Sequence, residues 1–160
     1  MDSQIVDIHI GEIQLAKPQE QLRALLGSCV GIALINRKRQ QCTLCHCLLP
    51  NAPAIVDEIG ARWVDQAIHS ALMLLNAERV GRRYLEAVVA GGGRVVSHSG
   101  ASKIRVGESN IAAAREVLGS YRIPIVDEDV GGCQSRQILV CGSTLEHQIN
   151  RIPKIGQGAA

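Results

Sequence analysis

Along the first fifty residues the hydrophobic positions come in short runs separated by polar turns. Ile5, Val6, Ile8 and Ile10 alternate loosely with Asp7 and His9 and predict a first strand. Lys17-Pro18 opens a turn-rich stretch leading to Leu22. Residues 30–36 and 42–49 are apolar runs with β-branched members, and 36–41 between them is polar. That pairing predicts a β-hairpin with a tip at 36–39, closed off by Pro50 and Pro53. Over 57–76 the period changes. Ile59, Trp63, Val64, Ala67, Ile68, Ala71, Leu72 and Leu75 recur every three or four residues, which predicts an amphipathic helix with Asp57 as its N-cap.

Residues 85–90 predict a buried strand that runs into Gly91-Gly92-Gly93. A second helix is expected over 109–118, with Gly119 to end it. Short strands at 123–126, 137–141 and 145–149 close the chain. Hairpin strands interrupted by two helices predict an α+β domain, a β-sheet sandwich with helices packed on the outside. The expected unit is a single domain over 1–153, with 154–160 as a frayed tail.

Composition narrows the functional classes. The chain has 160 residues, enough for one substantial core, and 46% are apolar. Only Trp63, Tyr84 and Tyr121 are aromatic, so Ala, Val, Ile and Leu must build that core. Charged residues make up 20% and the net charge is +2, which argues against disorder and against a strongly basic nucleic-acid binder. The longest uncharged apolar run falls well short of the roughly 18 residues of a membrane span. Met1-Asp2-Ser3-Gln4 lacks the pattern of a signal peptide. A cytoplasmic location without membrane insertion is expected, with the six cysteines reduced.

Those cysteines are unevenly placed: Cys42, Cys45 and Cys47 crowd one segment, Cys133 and Cys141 lie far away, and Cys29 stands apart. Strand alternation would send Cys42 and His46 to one face and Cys45 and Cys47 to the other. This splits the ligands of a zinc site, so no metal and no cofactor are expected. Leu26-Gly27-Ser28-Cys29-Val30-Gly31 carries the best candidate chemistry. Small neighbours leave room for a carbonyl to approach both a thiol and backbone N–H donors. A thiol needs a base, and His46 is the candidate. The two residues face each other directly if the hairpin is centred between Arg37 and Lys38. From pattern alone, two readings stand: a catalytic pair, or two ordinary strand residues. Arg37-Lys38-Arg39 reads first as a solvated tip and secondarily as a contact for acidic partner helices. His98 reads as an incidental loop histidine.

These segments resemble the CheD family of chemoreceptor glutamine deamidases. The resemblance rests on Leu26-Gly27-Ser28-Cys29-Val30, on His46 with Leu49-Pro50, and on Gly11-Glu12. It continues through Trp63-Val64-Asp65-Gln66-Ala67, Gly91-Gly92-Gly93, Val106-Gly107-Glu108-Ser109-Asn110, and Asp129-Val130-Gly131-Gly132 followed by Arg136. It implies a fold like that of bacterial toxin-type cysteine deamidases, with Cys29 as nucleophile and His46 as base. The implied substrates are glutamine side chains of chemoreceptors (methyl-accepting chemotaxis proteins). A regulatory complex with a CheC-type phosphatase is also implied, in organisms that have one. One departure stands out. The family carries a Thr five or six residues before the nucleophile, and this chain has Arg23 and Ala24 there. Ser28, Thr43 or a backbone carbonyl are the alternatives for orienting His46. The alternative function is a binding or regulatory protein of weak or absent activity that docks to the receptor or phosphatase.

Overall fold

The computed structural model describes residues 2–77, 81–94 and 104–153. The predicted tail at 154–160 and the loop holding His98 lie outside the described residues. Among the described residues, nine strands form two sheets. The first sheet has the order β1 (Gln4–Asp7), β3 (Glu20–Leu26), β8 (Ser135–Cys141), β9 (His147–Ile152). The second has the order β2 (Ile13–Leu15), β5 (Gln41–Cys47), β4 (Val30–Asn36), β6 (Leu85–Gly91), β7 (Ile125–Val130). Helices α1 (Val64–Leu74) and α2 (Ile104–Ser120) interrupt the strands.

The five-stranded sheet is the middle layer, and alternation along β4 makes it so. Val30, Ile32 and Leu34 join Cys45, Cys47, Ala67, Ile68, Leu72, Ala114 and Leu118 in a core against the helices. Cys29, Ala33 and Ile35 join Leu22, Ala24, Leu26, Ile138 and Val140 in a second core against the other sheet. All seven residues of β4 are buried, because both of its faces are covered. The α+β class is as expected, and both helices lie on the same side. The cysteines of β5 divide by face as alternation requires, with Cys42 toward the second core and Cys45 and Cys47 toward the helices.

The structure corrects the reading of several elements. The first helix begins at Val64 rather than near Asp57, and Trp63 stands at its N-cap. The preceding residues are held extended instead. Ala61 bridges Gly11, Trp63 bridges Leu49, and the Arg62 carbonyl accepts from the N–H groups of Leu48 and Leu49. Helical periodicity continues through that stretch, but tertiary bridges decide its backbone. Strand β3 begins inside the stretch that reads as turn-rich and runs on to Leu26, where no element is predicted. Its Leu22, Ala24 and Leu26 point into the core while Gln21, Arg23 and Leu25 point away. The second helix starts earlier, at Ile104, and contains Gly119; the chain leaves it through Arg122, whose φ is +59°. Strand β7 extends through Asp127, Glu128 and Asp129, since its parallel partner β6 pairs along that length.

Candidate active site

The β4–β5 hairpin carries the candidate pair with its tip one residue later than expected, which shifts the pairing register by two residues. Asn36 pairs with Gln41, so the four-residue tip is 37–40. Asn36 stays in the ladder, its Oδ1 accepting from the Arg39 N–H at 3.0 Å, and Gln40 takes φ +55°. In consequence His46 lies opposite Gly31 and not opposite Cys29. The shift displaces the pairing without changing faces, because the summed position numbers move by an even step. Cys29, two residues before Gly31, takes the diagonal position from His46, about 7–8 Å away in a regular ladder. No hydrogen bond joins the two side chains among the described residues; such contacts often tighten only when substrate is bound.

His46 is clamped from three sides. Its N–H donates to the Glu12 carbonyl at 3.0 Å, and its carbonyl accepts from the Gly11 N–H at 2.8 Å. Its ring Nδ1 lies 2.9 Å from the Ile8 carbonyl oxygen. A carbonyl only accepts, so Nδ1 carries the proton and Nε2 keeps a free lone pair. The orienting group is therefore a backbone carbonyl, which resolves the three alternatives. Ala24 is buried in the core between the sheets, and Arg23 is spent on Asp7 at 2.7 Å. Thr43 lies on the opposite face of β5 from His46, and Ser28 engages through its carbonyl. The turn that presents Ile8 is closed by His9 N–H to Glu12 Oε2 and Glu12 N–H to the His9 carbonyl, both at 2.9 Å. Burial lowers the His46 pKa from 6.5, only partly countered by the bond to Ile8, so the ring is neutral at pH 7.

Cys29 sits in the loop between β3 and β4, 6% exposed. Burial raises its pKa above 9.0, while its own backbone N–H works in the other direction. The loop is fastened by three successive carbonyls. Gly27 accepts from the Gly93 N–H at 2.9 Å, and Cys29 accepts from the Gly92 N–H at 2.8 Å. Ser28 accepts from Asn110 Nδ2 at 3.0 Å. With the carbonyls drawn inward, the N–H groups of Gly27, Ser28 and Cys29 have no backbone carbonyl partner among the described residues. Backbone donors beside a thiol are the components of an oxyanion hole. Gly91 is required here: its φ is +101°, and a Cβ would collide with the Cys29 carbonyl oxygen.

Beside His46 lies a cavity of about 510 Å³ lined by Asp7, Ile8, His9, Ile10, Arg23, Leu25 and His46. Ile10 and Leu25 are more than half exposed. The basic tip lies elsewhere. Seven residues of β4 separate it from Cys29, roughly 23 Å at strand rise, with Arg37 on Glu86 and Lys38 on Tyr84. It is not part of this site. The groups that sequence pattern does not identify are mostly backbone: the Ile8 carbonyl and the N–H groups of Gly92 and Gly93. Asn110 carries a motif signal, but only the fold shows what it touches.

The family described as CheD chemotactic sensory transduction matches residues 48–151. That match starts just beyond His46, but pairwise similarity extends further. A protein of Bdellovibrio bacteriovorus called "Probable chemoreceptor glutamine deamidase CheD" is 38% identical over 92% of this chain and 94% of its own length. One of the same name from Archaeoglobus fulgidus is 36% identical over 86% and 87%. The "Chemoreceptor glutamine deamidase CheD" of Bacillus subtilis is 28% identical over 84% and 83%.

Proposed function

Given that the chain belongs to the CheD family, we propose that it is a chemoreceptor glutamine deamidase with Cys29 as nucleophile and His46 as base. The observation that carries this reading is the bond from His46 Nδ1–H to the Ile8 carbonyl, which frees Nε2 on the face shared with Cys29. The relatives' names supply the substrate class, glutamine side chains of chemoreceptors.

In the proposed reaction Nε2 takes the Cys29 proton as sulfur attacks the glutamine carboxamide carbon. The C=O pair moves onto oxygen, where the N–H groups of the Cys29 loop stabilise it. Protonated His46 then gives its proton to nitrogen, the C–N bond breaks, and ammonia leaves a thioester. A water, deprotonated by His46, adds to the thioester carbon. The C–S bond breaks, the thiol regains a proton, and glutamate is released. Acylation and hydrolysis each begin and end with neutral His46, the form its lowered pKa favours. Desolvation of the thiol is consistent with a nucleophile activated by proton transfer and not by standing thiolate.

The three-layer arrangement of sandwich and external helices supports likeness to toxin-type cysteine deamidases. The unit is proposed to be one domain over 1–153, working in the cytoplasm. No helix among the described residues is long and apolar enough to cross a membrane. A CheC-type phosphatase is the proposed regulatory partner. A second reading, docking without turnover, is favoured by one observation: no side-chain hydroxyl stands where the family has its Thr. Mass spectrometry of a receptor cytoplasmic fragment separates the two. Wild type is expected to convert glutamine to glutamate, and Cys29→Ala to convert none. Equal silence from both would reject the deamidase for that receptor.

A further inference from the structure

We infer that Asn110 is a positioning residue whose carboxamide ties the Cys29 loop to the chain leaving His46. It rests on the reading of Cys29 and His46 as the reacting pair. Asn110 is fully buried on α2, and its Nδ2 donates to two carbonyls, Ser28 and Leu48, each at 3.0 Å. Ser28 adjoins the thiol in sequence, and Leu48 follows His46 by two residues. Both protons of one amide are thus spent on the two segments that carry the candidate pair. Cys29 and His46 need such a tie, because they do not oppose each other directly in the ladder.

The cost of the arrangement argues against simple packing. Asn110 Oδ1 is buried with no hydrogen-bond partner among the described residues. A buried acceptor left unpaired is destabilising, because it has lost its water and gained no donor. An apolar side chain would avoid that cost but take the donor away from both half-buried carbonyl segments, at Ser28 and Leu48. The surroundings hold α2 close enough for the tie to reach. Gly107, one turn earlier, has no room for a Cβ against the Gly92 and Gly93 carbonyls. Gly92 in turn donates to Cys29 and Gly93 to Gly27. Of the three donors that fasten Gly27, Ser28 and Cys29, Asn110 is the one side chain, and so the one that substitution can remove without touching the backbone.

The experiment compares wild type, Asn110→Asp, Asn110→Ala and Cys29→Ala on the receptor fragment, with thermal unfolding beside kinetics. Asn110→Asp keeps the shape and loses the paired donation. It is expected to lower kcat about 100-fold with KM changed by less than about two-fold, the signature of misplaced reacting groups. Asn110→Ala is expected to do the same while remaining folded. Folded variants that keep kcat within roughly three-fold of an active wild type would overturn the inference. Nuclear magnetic resonance of wild type gives an independent measurement should the variants fail to fold. The Asn110 side-chain NH₂ is expected to exchange slowly with solvent, and its rapid exchange would overturn the tie. An inactive wild type with a protected Asn110 amide would instead reject the deamidase reading and leave the tie standing.

Discussion

The His46 ring is held through Nδ1 by a main-chain carbonyl, so its tautomer does not depend on any hydroxyl neighbour. This sets the pH dependence at the residue scale. Burial keeps the His46 pKa below 6.5, and protonation removes the base. The acid limb of kcat/KM is therefore expected to inflect below 6.5. Cys29 titrates above 9.0, so no thiolate limb is expected before that pH. An acid limb inflecting above 6.5 would contradict the assignment. The same chemistry separates nucleophile from reactive thiol. Cys141 is half-buried, which raises its pKa, yet Ser143 and Thr144 outweigh burial through side-chain and backbone hydrogen bonds and bring it down to about 7. Cys133 is exposed. At pH 7, iodoacetamide is expected to label Cys141 and Cys133 before Cys29, as peptide mapping over time would show. Bulk thiol reactivity is therefore a poor report on the candidate nucleophile, and only site-resolved labelling speaks to it.

At the scale of elements, the end of β6 builds the Cys29 loop from outside. Gly91, Gly92 and Gly93 follow a buried strand, a placement that suggests a close backbone approach in advance. Their partners in the Cys29 loop become visible only in the folded chain. Gly91→Ala is expected to destabilise by about 3 kcal/mol in urea denaturation, from positive-φ strain and collision with the Cys29 carbonyl. Loss of less than about 1 kcal/mol would mean the loop can move away. The hairpin illustrates a different limit. Its strands, its four-residue tip and the shared face of Cys29 and His46 follow from alternation. Its register does not. The sequence tolerates a tip at 36–39 or 37–40, and Asn36, buried in the ladder and accepting from Arg39, selects the second.

Across the whole molecule, the two sheets meet at a charged joint near the Gly91–Gly93 turn. Asp129 at the end of β7 accepts from Arg136 on β8 and Arg151 on β9. Arg136 is 2% exposed, and the Gln134 carbonyl also accepts from it. Asp129→Ala leaves that guanidinium buried with its counter-charge gone, and is expected to cost about 3 kcal/mol. Hydrogen bonds from Arg151 and Arg136 outweigh burial and hold the Asp129 pKa below 3.8. The joint's contribution is therefore full above 3.8 and lost as pH falls through the lower folded value. Urea denaturation across that range is expected to lose stability more steeply for wild type than for Asp129→Ala. Parallel slopes would exclude Asp129 as a source of acid sensitivity.

What the chain itself determines is local and periodic. Alternation reveals most strands, three- and four-residue spacing reveals the helices, and small residues around a cysteine mark where a carbonyl has room to approach. Those signals depend on neighbours within a few positions, so one chain carries them openly. The tertiary structure decided whatever required a partner distant in sequence. Bridges to Gly11 and Leu49 delay α1, and antiparallel pairing with β8 from Gln21 to Leu26 makes β3 a strand. His46 finds its orienting group thirty-eight residues away in the Ile8 carbonyl. Main-chain carbonyls and N–H groups are common to nearly every residue, and only folding selects which of them meet a side chain.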